Sequence, residues 1–262
     1  MALRFSANLG MMWAQLPLLD RIAAAAAAGF KAIELHWPYE TSAKAVKAAC
    51  ERHQLQLLSV NTPVGVASQG DSGLAAQPTR QAEFRAAFTQ SLDWALESQA
   101  SMIHVLPGLL LDSASEAQCR QVFLDNLDWA CEKAKPHGIT LLLEALNPRD
   151  KPGYFYHRQA QSNEIRQASG HDNLKLMFDV YHVGVTEGDI LVKLEQYLPH
   201  IGHIQIASVP NRTEPDDGEV RYEAVFKRID ELGYSGWIGC EYKPRGDATE
   251  GLRWVSAMGL TL

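Results

Sequence analysis

The chain is poor in cysteine. Cys50, Cys119, Cys131 and Cys240 are the only four in 262 residues, and no two stand at CxxC spacing. That argues against a thiolate metal motif or a small disulfide scaffold, and it reads as reduced thiols in a cytoplasmic protein. Long apolar runs are also missing: the longest, Ile22 to Phe30, is mostly alanine and far short of a membrane span. The opening MALRFSANLG lacks the basic stretch and apolar core of a secretory signal, so no membrane association is expected. Positive charge is in deficit, with 24 Lys and Arg against 31 Asp and Glu and a net charge of −7. A nucleic-acid surface needs a basic face to neutralise phosphates, so no nucleic-acid partner is expected, although a local basic pocket for a small anion fits. No Pro-, Ser- or charge-rich linker divides the chain, which is expected to form one domain over residues 1–262. Oligomeric state is not legible, and a homo-oligomer stays open.

What is present is a near-regular alternation of short apolar runs and helical patterns. The runs predict strands at Leu3 to Asn8, Ala32 to Trp37, Leu55 to Asn61, Met102 to Leu106, Ile139 to Ala145, Leu174 to Tyr181, His203 to Ala207 and Trp237 to Tyr242. Helices are expected between them, among them Leu18 to Ala28, Ser42 to His53, Ser115 to Lys135 with Ser115 as N-cap, Asn163 to Ala168, Ile190 to Leu198 and Tyr222 to Leu232. A last helix spans Thr249 to Met258. Eight such units in this length predict an α/β fold, a single (β/α)8 TIM barrel. A doubly wound open sheet is the alternative, but no G-x-G-x-x-G turn follows the first strand. The polar stretch from Thr62 to Thr79, with Gly65, Gly70 and Gly73, is expected to be a lid with glycine hinges.

Four acidic or amide residues fall at the tail ends of the last four runs: Glu144, Asp179, Gln205 and Glu241. Barrel enzymes carry their chemistry where strands run into the following loops. On consecutive parallel strands these four groups would face one cup, and hard oxygen donors suit a divalent metal such as Mg²⁺ or Mn²⁺. Gln205 as a simple interior hydrogen-bonder is the plainer reading. His182 follows Asp179 by three residues, so a helical turn would bring both to the pocket. Arg212 lies just past the seventh strand, where it fits a substrate carboxylate or, alternatively, a surface ion pair with Glu214 or Asp216. Lys243 shares the side of Glu241 by strand alternation. Asn8, Trp13 and Trp37, near the ends of the first two strands, are candidates to line the cup. His104, Trp94, Trp129 and Trp254 read as packing residues.

The motifs RFSANLGMMW (4–13), EALNP (144–148), FDVYH (178–182), HIQIA (203–207), EPDDGE (214–219), GYSGWIGCEYKPRG (233–246) and EGLRW (250–254) together resemble the hydroxypyruvate isomerase family, within the xylose-isomerase-like barrel superfamily. The resemblance covers essentially the whole chain. EPDDGE with GCEYKPRG resembles the branch acting on 2-oxo-tetronates, and DVYH the hydroxypyruvate branch. The resemblance implies an isomerase that moves a carbonyl between adjacent carbons of a small 2-oxo acid substrate. It also implies that Glu144 and Glu241 shuttle the proton, that Asp179 and Gln205 complete a metal site, and that His182 and Arg212 lie near the substrate. Thr213, where histidine is the family expectation, and His36, in place of an aromatic or aliphatic residue, depart from the pattern and bear on substrate choice. A ketose 3-epimerase of the same superfamily is the alternative; such epimerases usually carry histidine where this chain has Gln205.

Overall fold

In the computed structural model, which describes residues 3–110 and 115–262, the apolar runs form nine parallel strands. They are β1 (Arg4–Asn8), β2 (Ala32–Glu34), β3 (Gln56–Leu57), β4 (Ser59–Asn61), β5 (Met102–His104), β6 (Thr140–Glu144), β7 (Leu174–Asp179), β8 (Ile201–Ile206) and β9 (Trp237–Cys240). Their order, β3-β2-β1-β9-β8-β7-β6-β5-β4, is an eight-stave barrel in which the third stave is broken. The run from Leu55 to Asn61 is therefore two strands, with Leu58 at the break. β3 pairs with β2, and β4 pairs with β5. Hydrogen bonds from Leu58 N to Ile33 O (2.9 Å) and Leu35 N to Ser59 O (3.0 Å) join β2 to this broken stave. The ring is closed through one stave that changes partner midway.

The helices between the strands are α1 (Leu18–Ala27), α2 (Ala43–His53), α3 (Gln81–Ser98), α4 (Glu116–Ala134), α5 (Gln159–Ser169), α6 (Val180–Thr186), α7 (Ile190–Tyr197) and α8 (Tyr222–Glu231). Ser115 caps α4 in a reciprocal box with Gln118, as its sequence position predicts. The expected last helix is two short ones, α9 (Ala248–Gly251) and α10 (Arg253–Ala257). Trp254 on α10 stacks on Phe226 and meets Phe5 edge-on, which seats the chain end against β1 and α8. No helix among the described residues is long and apolar enough to cross a membrane.

Two departures shape the barrel mouth. The sequence predicts strand through Tyr181, yet β7 stops at Asp179, whose side chain caps α6 by accepting from Tyr181 N at 2.8 Å. The stretch from Thr62 to Thr79, expected to be a lid, has an exposed half, Val66 to Gly70, and a half packed against the barrel, Ser72 to Gln77. Leu74, Ala75 and Ala76 are buried, and Asn126 donates to Ala75 O. Gly73 bridges to Pro107, and a Cβ on it would lie 2.5 Å from Leu106 O, so this glycine serves close backbone packing rather than a hinge.

Candidate active site

The C-terminal ends of β6, β7, β8 and β9 carry Glu144, Asp179, Gln205 and Glu241, none more than 6% exposed. Asp179 and Gln205 are direct neighbours in the β7–β8 register. Above the strands lies a cavity of about 930 Å³ whose lining includes His36, His104, Glu144, His182, Arg212 and Glu241. The described structure brings the residues singled out in the sequence to one end of the barrel. Glu144 Oε1, Asp179 Oδ2 and Gln205 Oε1 are all buried without a hydrogen-bond partner. An orphaned buried acceptor costs about 1–3 kcal/mol, so three of them together are a candidate place for a cation. The oxygen donor set fits a hard divalent ion.

Glu241 is the most heavily held of the four. Its Oε1 accepts from Asn8 Nδ2 (3.1 Å) and lies 2.8 Å from His36 Nε2, and its Oε2 accepts from Arg212 Nη2 at 2.6 Å. Burial alone would raise its pKa, but Arg212 and His36 outweigh burial and hold the carboxyl far below its usual value. Glu144 is the reverse: burial, then the charges of Glu241 and Asp179, push it well up. Burial likewise moves Asp179 up to about 7, against the pull of Arg212. Two carboxyls of one cup are thus driven in opposite directions, Glu241 down by Arg212 and Glu144 up by burial and its acidic neighbours.

Arg212 is not the surface residue of the plainer reading. Glu214 and Asp216 pair with Arg245 instead, while Arg212 turns into the cup, stacks over the Tyr181 ring at 4.9 Å and keeps a buried Nε without a partner. Its backbone is left-handed (φ 55°), held by Arg212 N to Ser208 O and Lys243 N to Arg212 O, both 2.8 Å. Thr213 braces the same turn through Ser208 Oγ at 2.8 Å. Glu214, 1% exposed, accepts from Arg245 N and Arg245 Nε, and Gly251 leaves room for it, since a Cβ there would lie 2.4 Å from Glu214 Oε1. The segments EPDDGE, KPRG and EGLRW are therefore one clasp beside the turn that carries Arg212.

His182 sits on the first turn of α6, 3.6 Å from Glu144 Oε1 and 3.5 Å from Asp179 Oδ2. Its Nδ1 accepts from Asn147 N (3.1 Å) and Asn147 Nδ2 (2.7 Å), and Asn147 Oδ1 is occupied by Asp150 N. Two donors on Nδ1 put the proton on Nε2. Burial, then Arg212, lowers the pKa well below its ordinary value, so the ring is neutral. Glu144, Asp179 and His182 lie close enough together to hold an ion; with the proton on Nε2, His182 offers that cluster a donor rather than a lone pair.

Sequence reasoning left the places of several polar residues at the cup unread. His104, read as a packing residue, lines the cavity with Nδ1 3.5 Å from Glu144 Oε2, and burial lowers its pKa to about 4. His36 lies against Glu241, in space that opens because Gly10 has no side chain. Glu34 sits buried beneath the cup, accepting from Gln205 Nε2 at 2.9 Å and Ser6 Oγ at 2.6 Å. His36 stood out in the sequence only as a departure from the family pattern, and for His104 and Glu34 the only signal was a polar residue at a strand end. Arg149 and Lys151 join Lys243 in the lining, and the exposed Lys243 side chain has no partner among the described residues. Trp37 also lines the cavity, donating to Thr62 O. Trp13 does not. With φ 51°, its indole is buried against Phe30 and bonded to Thr249 Oγ1, leaving Met11 and Ala14 at the cavity. Asn8 holds Glu241 from the β1 side.

Comparison with known proteins agrees with this architecture. The family described as "Xylose isomerase-like TIM barrel" matches residues 22–258. The 2-oxo-tetronate isomerase of Cupriavidus necator is 45% identical over 96% of this chain and 97% of its own. The hydroxypyruvate isomerase of Escherichia coli is 34% identical over 97% and 98%. A Brucella melitensis crystal structure described as AP endonuclease, family 2 superposes with a TM-score of 0.94 at 36% identity, over 97% of this chain and 98% of that one. With the barrel, the strand-end carboxylates and near full-length relatives in agreement, this chain belongs to the xylose isomerase-like TIM barrels and, within them, to the hydroxypyruvate and 2-oxo-tetronate isomerase family.

Proposed function

We propose that the chain isomerises a small 2-oxo acid, hydroxypyruvate or a 2-oxo-tetronate, by carboxylate-mediated proton transfer at this cup. The observation that supports this most is the gathering of Glu144, Asp179, Gln205 and Glu241 at one end of the barrel, with Glu144 Oε1, Asp179 Oδ2 and Gln205 Oε1 buried and unpartnered. Glu144, Asp179 and Gln205, with Glu241 as fourth donor, would hold Mg²⁺ or Mn²⁺. When bound, such an ion supplies Lewis-acid stabilisation of the substrate oxygen that becomes anionic. Glu241 takes the proton from the hydroxyl-bearing carbon, and the C–H electron pair moves into the enediolate. Glu144 delivers a proton to the neighbouring carbon, while the hydroxyl proton passes to the former carbonyl oxygen. His182 Nε2–H, fixed by Asn147, donates to a substrate oxygen between Glu144 and Asp179. Arg212 keeps Glu241 ionised and, with the unpartnered Lys243, gives an acidic cup the positive charge that a substrate carboxylate needs.

The carboxylate-binding cations separate this reading from the ketose 3-epimerase alternative, whose neutral sugars have no use for them. Initial rates on hydroxypyruvate, a 2-oxo-tetronate, fructose and tagatose, before and after EDTA, test it. Turnover of the acids alone, lost with EDTA and restored by Mg²⁺ or Mn²⁺, is the expected result. Turnover of the sugars alone would replace the isomerase by an epimerase, and full activity in EDTA would remove the ion from the account.

A further inference from the structure

Beneath the cup, four strands contribute to one buried knot. Glu34 at the end of β2 is 1% exposed. Its Oε1 accepts from Ser6 Oγ of β1 at 2.6 Å and lies 2.9 Å from His203 Nε2 of β8. Its Oε2 accepts from Gln205 Nε2 of β8 at 2.9 Å, with Asn8 Nδ2 at 3.5 Å. The space for this carboxylate comes from β9. Gly239 is the register neighbour of both Ser6 and Gln205, and a Cβ on it would lie 2.2 Å from Glu34 Oε1. A glycine in a strand interior weakens the strand, and here it admits a buried charge instead.

The amide of Gln205 has nearly the same shape whichever way it is turned, so only its hydrogen bonds decide which end faces the cup. A carboxylate accepts and does not donate. Glu34 therefore takes the NH₂ end and leaves Gln205 Oε1 buried and unpartnered. We infer that Glu34 is a positioning residue that orients and polarises Gln205, turning a neutral amide into an oxygen ligand for the divalent ion. The N–H···O⁻ bond shifts electron density toward Gln205 Oε1, and partners of this kind behind a ligand are typically worth 10–100-fold in metal affinity. This role rests on the proposed ion site and adds a specific residue to it.

Mn²⁺ titration of the ion-free full-length chain, followed calorimetrically, tests the assignment without reference to turnover. Glu34→Gln should weaken Mn²⁺ binding at least about tenfold. Ser6→Ala cuts a different bond in the same knot and should lower the melting temperature while leaving Mn²⁺ affinity within about twofold of wild type. Wild-type affinity in Glu34→Gln, or an equal loss in Ser6→Ala, would overturn the positioning role and leave the ion site standing. Absence of Mn²⁺ binding by the wild-type chain would remove both. If Glu34→Gln fails to fold, Glu34→Asp carries the test, because the shorter carboxylate draws back from Gln205 Nε2 without adding a ligand to the cup: weakened Mn²⁺ binding supports the assignment, and wild-type binding refutes it.

Discussion

At the scale of single residues the cup is a set of carboxyl groups whose proton affinities have been separated. Glu241 has three donors on it, including Arg212 at 2.6 Å, whereas Glu144 has its Oε1 buried without any. Replacing either by Gln keeps the size and one oxygen but removes the group that takes or gives the proton, and kcat should fall at least about 10²-fold in each variant. Near-normal kcat in both would end the two-carboxylate mechanism. Arg212 and Lys243 should separate in their kinetics. Lys243→Ala should raise KM several-fold with kcat unchanged, whereas Arg212→Ala should also lower kcat, because Glu241 loses its counter-charge. Equal KM-only effects would return Arg212 to a pure binding role.

The same groups predict a pH dependence of stability. Asp179 sits at about 7 in the fold against an ordinary value of 3.8, and Glu144 is displaced in the same direction. A raised carboxyl contributes stability that is complete below its unfolded pKa and is lost as pH rises through the folded one. His104 and His182 are lowered, so they act the other way, but only below their ordinary 6.5. Glu241, also lowered, changes only below 4.5. In EDTA the melting temperature should therefore fall from pH 6.5 to about 8, and saturating Mg²⁺ should cancel or reverse the slope. A flat or rising profile in EDTA would contradict the raised carboxyls.

Among the elements, the turn after β8 shows how the site is held. Arg212 depends on a left-handed residue, and next to it Glu214 is clasped by Arg245 and given room by Gly251. Because Arg245 is about half exposed, Glu214→Gln should cost only about 1–3 kcal/mol in urea unfolding. It should also lower kcat/KM through Arg212; an unchanged kcat/KM would show that the clasp and the site are independent. The motifs of this clasp stand out in the sequence, but their pairing does not, since Glu214 and Arg245 are 31 residues apart. The early stop of β7 was hidden for a related reason. The β-branched and aromatic residues Val180 and Tyr181 read as strand, and only the Asp179 cap starts the helix.

For the whole molecule, the alternation of apolar runs was enough to show the barrel, because each parallel strand is buried on both faces and reads as a continuous apolar run. The four oxygen donors were visible because each ends such a run. The broken third stave was not visible, since Leu58 is as apolar as its neighbours and the break lies in hydrogen bonds to two different strands. Nor were His36 on Glu241 and Glu34 on Gln205 visible, contacts that span 205 and 171 residues. Trp13 was misplaced because its left-handed backbone, not its distance from β1, sets where the indole goes. The central claim is that two carboxylates move protons between adjacent substrate carbons. Running the isomerisation in D₂O and reading the product by proton NMR tests it most directly. A proton delivered by a group in exchange with solvent should leave deuterium at the receiving carbon in essentially every product molecule, and full retention of the substrate's own hydrogen there would contradict the account.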